Sequence, residues 1–141
     1  MHSRDRRLLP VIALGGALGS LARYGLGRAW PDAAHELPWT TLSINLLGSL
    51  LLGMLVVAVS ELWQPHPLTR PLLGTGVLGG FTTFSTFAMQ TRSLATGPAI
   101  AYLLLSVLGG LLAAAAGMAL LRQLAPGRPA TGIDPVDPEL P

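Results

Sequence analysis

An all-α integral membrane protein with four transmembrane helices per chain is what this sequence predicts, and three observations carry that reading. Hydrophobic residues make up 50% of the chain and charged residues only 11%, where soluble domains carry about 25% charged residues. Mean hydropathy is positive. Four intervals without charge, Leu8 to Ala22, Leu37 to Ser60, Pro71 to Thr91 and Ser93 to Leu121, are separated by short segments holding nearly all the arginines and acids. At about 20 residues per crossing, that pattern gives four helices and little else.

The first interval follows Arg4, Arg6 and Arg7 and ends in Ser20-Leu21-Ala22, which also has the layout of a secretory signal. It continues, however, through Tyr24-Gly25-Leu26-Gly27 and carries Gly15, Gly16 and Gly19, a small-residue face suited to close packing, so a retained first helix is expected. The connection from Pro31 to Pro38, with Asp32, His35 and Glu36, reads as an interfacial turn before Trp39, an aromatic suited to the headgroup level. In the second interval Asn45 is the conspicuous residue. Its amide either donates to an anion or ties helices together. In the fourth, Tyr102 and Ser106 stand four apart and share a face, either as a donor pair or as packing.

The third interval is the most informative. Gly79 and Gly80 weaken helix where Thr82, Thr83, Ser85 and Thr86 supply hydroxyls able to satisfy freed backbone groups, so a break is expected between about Gly79 and Thr83, near mid-span. The alternative is a continuous helix whose hydroxyls bond back to the preceding turn. Such a break presents carbonyls from one half-helix and amide hydrogens from the other, and carbonyls from two copies converging on one point would bind a hard cation. Phe81, Phe84 and Phe87 recur every three residues, and their positive ring edges either face an anion or simply pack.

Four short helices fill their own centre with side chains, so a conduit requires at least a dimer. Arg4, Arg6, Arg7, Arg70, Arg122 and Arg128 fall on the side of the amino terminus, while Arg23, Arg28 and Arg92 fall on the other. So weak a bias permits insertion in both orientations, and therefore pairing with an inverted copy. The pairs Gly15 with Gly19 and Gly76 with Gly80, and the positions Gly48, Gly53, Gly109 and Gly110, offer flat faces either for such pairing or for packing within one chain.

Composition also excludes. The nine basic residues are all arginine and the net charge is +2, spread over loops and termini, which reads as membrane flanks and not as a nucleic-acid surface. There is no cysteine, hence no disulfide framework or thiolate metal site, and His2, His35 and His66 are scattered outside the spans. No soluble domain is left to hold an enzyme's chemistry. The chain divides into a four-helix transmembrane domain over residues 1–122 and a Pro-rich tail over residues 123–141, expected to be disordered.

Three segments together carry a family resemblance. Gly15-Gly16-Ala17-Leu18-Gly19 leading to Arg23-Tyr24, then Thr41-Leu42-Ser43-Ile44-Asn45-Leu46-Leu47-Gly48, then Gly79-Gly80-Phe81-Thr82-Thr83-Phe84-Ser85-Thr86-Phe87, resemble in order and spacing the Fluc (CrcB) family of fluoride channels over roughly Leu8 to Leu121. The resemblance implies a dual-topology homodimer in the plasma (inner) membrane, with two fluoride pathways and a central structural Na+. Carried onto this chain, it makes the carbonyls of Gly79 and Thr82 the sodium ligands and Phe84 and Phe87 the fluoride-facing rings. Asn45 becomes the pathway amide, Tyr102 and Ser106 the polar track, Arg23 the residue attracting anions at the pore entrance, and Thr41 a further pathway position. Two positions depart from the family's common pattern: Gln90 stands where glutamate is usual, and Gly110 where a further hydroxyl is frequent.

The residues fit that function. Fluoride is small and tightly hydrated, and hydroxyls, an amide and phenyl edges can replace its water. No acid lies within the four intervals, which favours passive flow over proton coupling. A small multidrug-type proton-coupled exporter, the rival of similar size, needs a membrane-embedded carboxylate, and the interval from Leu8 to Ala22 has none. A non-transporting membrane scaffold subunit is the other alternative, for which the small-residue faces would be adhesive only.

Overall fold

A computed structural model describes residues 3–34, 36–62 and 66–125, with side chains from Leu8 onward. It is all-helical among the described residues. Helix α1 covers Ser3–Ala29 and α2 covers Trp39–Val57, the latter prolonged by a wider π-helical turn over Ala58–Leu62. Helix α3 spans residues 71–81, wound as a π-helix over Pro71–Leu78 and as a single α turn over Gly79–Phe81. Helix α4 covers Phe84–Ser93 and α5 covers Thr96–Leu124. Four stretches are long and apolar enough to cross a membrane: Leu8–Ala29, Trp39–Leu62, Pro71–Ser93 and Thr96–Leu124. The expected tail from residue 126 onward, and His35, lie outside the described residues.

Few side chains are buried, because lipid is as good a neighbour for leucine as another helix is. The buried apolar set is Leu42, Ile44, Val57, Phe81 and Tyr102, while Leu104, Leu108, Leu111 and Leu112 of α5 are all exposed. What holds the helices together is close backbone approach. On one side α1 lies against α3: a Cβ added at Gly15 would meet Gly76 Cα at 3.0 Å, and one at Gly80 would meet Gly16 Cα at 2.9 Å. On the other side α2 lies against α5, with Gly53 over the backbone of Ala114 and Gly117 over that of Leu50. Gly48 abuts the Thr82 side chain, Gly109 faces Leu46 and Gly110 faces Ser49. All these glycines therefore serve contacts inside one chain, and none is left as an argument for pairing between copies.

The glycine pair expected to interrupt the third span is itself helical. Helical backbone ends at Phe81; Thr82 (φ −76°, ψ 160°) and Thr83 (φ −146°, ψ 118°) are extended, and helix resumes at Phe84. The reason lies in the α1 contact: Gly80 is needed small and helical to sit on Gly16, so the chain leaves the helix two residues later, at β-branched threonines that tolerate extended backbone.

Substituting Gly80→Val forces the α1–α3 seam apart and is expected to cost about 1–3 kcal/mol, the scale of an overpacked contact. Gly25→Ala, where an added Cβ meets nothing within 4 Å, is expected to leave stability unchanged. Thermal unfolding of the detergent-solubilised protein checks both.

Candidate functional site

Extended residues in an apolar span leave backbone groups that need partners, and each partner here comes from a different helix. Asn45 of α2 makes two of the bonds: its Oδ1 accepts from the Thr83 amide at 2.9 Å and its Nδ2 donates to the Thr83 carbonyl at 3.1 Å. A single primary amide thus imitates the strand partner that an extended residue would have in a sheet. Thr82 closes the end of α3, its N–H and Oγ1 both donating to the Leu78 carbonyl at 3.0 Å. The Gly80 carbonyl accepts from Arg23 Nε at 3.2 Å and from Ser20 Oγ at 3.4 Å, both on α1. Thr83 then caps α4, its Oγ1 accepting from the Thr86 amide at 3.2 Å. The carbonyls of Gly79 and Thr82 receive none of the bonds that close the segment.

Beside this junction lies an open groove of about 370 Å³, bordered by Asn45, Gly79, Thr82, Thr83, Phe84, Phe87 and Ser106. Seven residues singled out in the sequence therefore meet in one place. Phe84 is 80% exposed, the most exposed of the large apolar side chains among the described residues. Its ring centroid is 5.8 Å from that of Phe87, which in turn lies 5.2 Å from Tyr102, each pair inclined at 46°. The Ser106 Oγ is buried without a hydrogen-bond partner, so it retains a free donor at the groove wall.

A second hollow, of about 380 Å³, opens on the other side of the junction and is bordered by Arg23, Arg28, Asp32, Thr41, Thr83, Thr86 and Gln90. Arg23 and Thr41 fall here and not in the groove. Arg23 is anchored to the Gly80 carbonyl, so it is held at the inner wall of this vestibule as well as charging it. Tyr102 borders neither space. It is 0% exposed, seated behind Phe87, with its hydroxyl donating to Gln90 Oε1 at 3.2 Å.

Sequence reasoning passed over Asp32. Its carboxylate caps α2 from a distance, Oδ1 accepting from the Thr40 amide at 2.8 Å and Oδ2 from the Thr41 amide at 3.3 Å and the Thr41 hydroxyl at 3.0 Å. An acid in a proline-bounded loop before a helix is a capping signal, but capping motifs place it next to the first turn, and here the loop has to fold back to bring it there. At the opposite end of the bundle Arg122 of α5 pairs with Glu61 at 2.6 Å, fastening α5 to the end of the second span.

Replacing Asn45 by alanine leaves both main-chain groups of Thr83 unpaired, at about 1–3 kcal/mol each. The expected outcome is faster amide hydrogen exchange at Thr83 and in the first turn of α4, with exchange in α1 unchanged.

Comparison with known proteins places the chain in a family. The family model described as CrcB-like protein, Camphor Resistance (CrcB), matches residues 10–118. A protein of Nocardia farcinica named "Fluoride-specific ion channel FluC 2" is 43% identical over 116 residues, covering 82% of this chain and 83% of its own. A "Fluoride-specific ion channel FluC" of Hahella chejuensis is 46% identical over 120 residues, covering 81% of this chain and 94% of its own. Another so named, of Rhodospirillum centenum, is 42% identical over 127 residues, covering 82% and 96%. With four membrane-spanning helices and matches over most of its length, this chain is a multi-pass membrane protein that belongs to the CrcB family.

Proposed function

We propose that this chain is a passive fluoride-selective channel that lets fluoride leave across the plasma (inner) membrane and so lowers its cytoplasmic concentration. The observation that carries the reading is the groove at the junction of α3 and α4, which a partnerless buried hydroxyl, two phenylalanine rings and an amide border together. Fluoride gives up its hydration only where comparable contacts replace it. Ser106 supplies an O–H donor, Phe84 and Phe87 supply ring edges of positive partial charge, and Asn45 keeps one of its two amide hydrogens beyond the bond to Thr83. Arg23 and Arg28 in the vestibule raise the local anion concentration. The names of the relatives support the choice of ion.

The groove is a half-channel, open along one side, and Phe84 projects from it uncovered. We take the missing wall to be a second copy in inverted orientation, giving a dual-topology homodimer with a pathway on each side of its two-fold axis. On this reading the third span is broken at mid-membrane, where the ends of α3 and α4 lie nearest the axis. Residues 1–122 form the channel domain, and the Pro-rich remainder takes no part.

A structural Na+ at the axis fits the donor set present. Gly79 and Thr82 border the groove, their carbonyls are not used by the bonds that close the junction, and neutral oxygens from two copies suit a hard cation. No cluster of three His, Cys, Asp or Glu side chains able to hold a metal exists among the described residues, so main-chain oxygens are the ligands to consider. When bound, the ion would draw together four carbonyl dipoles that otherwise repel.

Two experiments test the proposal. Protein reconstituted into liposomes under an ion gradient is expected to release fluoride, read with a fluoride electrode, while chloride is retained; equal release of both ions, or none of either, contradicts the channel reading. For sodium, Gly79→Val is expected to abolish release, whereas Thr82→Ala, which keeps its carbonyl, has the smaller effect. Within one chain a Cβ at Gly79 meets only the Gly74 carbonyl at 3.8 Å, an ordinary contact, so Gly79→Ala is expected to keep the monomer folded, and thermal unfolding of Gly79→Val separates lost ligation from misfolding. The reverse ranking argues against carbonyl ligation.

A further inference from the structure

Asp32 lies in the loop between α1 and α2, yet its carboxylate reaches beyond that junction. Besides capping α2, its Oδ2 accepts from Gln90 Nε2 of α4 at 3.2 Å. Gln90 passes the contact on: its Oε1 accepts from the Tyr102 hydroxyl of α5 at 3.2 Å. Three residues on three separate segments are thus joined in one chain of hydrogen bonds, ending at a fully buried tyrosine whose ring lies 5.2 Å from Phe87.

The direction of every bond follows from a single fact. An ionised carboxylate only accepts, so Gln90 must offer its NH₂ to Asp32 and is left with only its oxygen for Tyr102. Tyr102 must then donate. Its hydrogen is committed to Gln90 and withheld from anything passing Phe87. An amide at position 32 would remove that constraint, because it can donate or accept; Gln90 could then turn over, and the Tyr102 hydrogen would be released. The four donors on Asp32 also absorb its negative charge, in a vestibule whose arginines are there to attract anions.

We propose that Asp32 is a positioning residue of the ion pathway: its charge fixes the hydrogen-bond direction through Gln90 to Tyr102, and so holds the Tyr102 ring against Phe87 with its hydroxyl hydrogen turned away from the anion. This rests on the channel reading above. It also gives a physical sense to Gln90, since a glutamate there would set a second carboxylate within hydrogen-bond distance of the first, and like charges at that range repel.

The test exchanges the two groups. Parent, Asp32→Asn, Gln90→Glu and the double variant D32N/Q90E are reconstituted into liposomes for fluoride and chloride release, and their thermal unfolding is followed in detergent. Gln90→Glu is expected to slow fluoride release roughly tenfold and to lower the unfolding temperature, the scale of a coupled polar pair. Asp32→Asn, with the Tyr102 hydrogen freed, is expected to change the fluoride-to-chloride ratio. In the double variant the amide now at position 32 donates to the carboxylate now at position 90 and that carboxylate still accepts from Tyr102; the amide oxygen keeps the bond from the Thr40 amide, the Thr41 hydroxyl can turn to accept, and the longer 3.3 Å bond from the Thr41 amide is given up. Release and unfolding temperature are therefore expected to return to within about twofold and a few degrees of the parent. A merely structural cap predicts otherwise: Gln90→Glu without effect, or a double variant as impaired as the two single changes added together, overturns the proposal. Should Gln90→Glu fail to insert, Gln90→Leu breaks the link without adding charge, and full release from it with an unaltered ion ratio overturns the proposal equally. Failure of the parent to release fluoride is a separate result, which overturns the channel reading itself and the pathway role of Asp32 with it.

Discussion

Everything at the site depends on the paired bonds between Asn45 and the main chain of Thr83. An apolar span cannot leave an amide and a carbonyl bare, since each unpaired group costs about 1–3 kcal/mol and no water is there to take the partner's place. Two consecutive extended residues would be excluded from such a span without a donor and an acceptor brought to the same point. One asparagine on α2 provides both, at 2.9 and 3.1 Å. Once the junction is held, α3 and α4 can end and begin where they do, and their loose ends can be directed at something other than each other.

The remaining features follow from that junction. Because α4 starts afresh at Phe84, its first turn carries the two rings out to one side, and Ser106 of α5 meets them across the groove. Because α3 stops at Phe81, the Gly80 carbonyl is free to receive Arg23 and Ser20, which ties the junction to α1 as well as to α2. The close α1–α3 and α2–α5 seams supply the rigid frame; small residues do in lipid what a large apolar core does in water. Polar contacts are accordingly concentrated at the junction and in the vestibule, and leucines make up most of the exposed large apolar side chains.

Much of this was legible in the sequence, and the reasons are physical. Charge-free intervals of the right length mark spans because lipid penalises charge, so the four helices could be read directly. The hydroxyl and phenylalanine cluster after Gly80 drew attention to the candidate site because hydroxyls have little reason to gather in lipid. What could not be read depends on contacts between segments distant in sequence. Helix α1 runs on to Ala29, past the charges at Arg23 and Arg28 that closed its interval, because Arg23 has a carbonyl partner 57 residues away. Helix weakening was inferred from Gly79 and Gly80, whereas both are helical and Gly80 is small so that Gly16 can approach it. Asp32 looked like an ordinary loop acid because nothing local reveals that the loop turns back over α2, α4 and α5. Asn45 was read as either a donor to an ion or a tie between helices, and Tyr102 as either a donor or packing; that Asn45 binds the main chain of Thr83, with one amide hydrogen left over, and that Tyr102 gives its hydrogen to Gln90, depends on segments far away in sequence.

The central claim is that an asparagine-clamped interruption forms the wall past which fluoride moves. Fluoride release from liposomes carrying Asn45→Ala, compared with the parent at equal reconstituted amounts, tests it most directly. The account predicts that release falls at least about tenfold, since two main-chain groups of Thr83 lose their partners together. Release at the parental rate, from protein whose Thr83 amide exchanges freely, would contradict it.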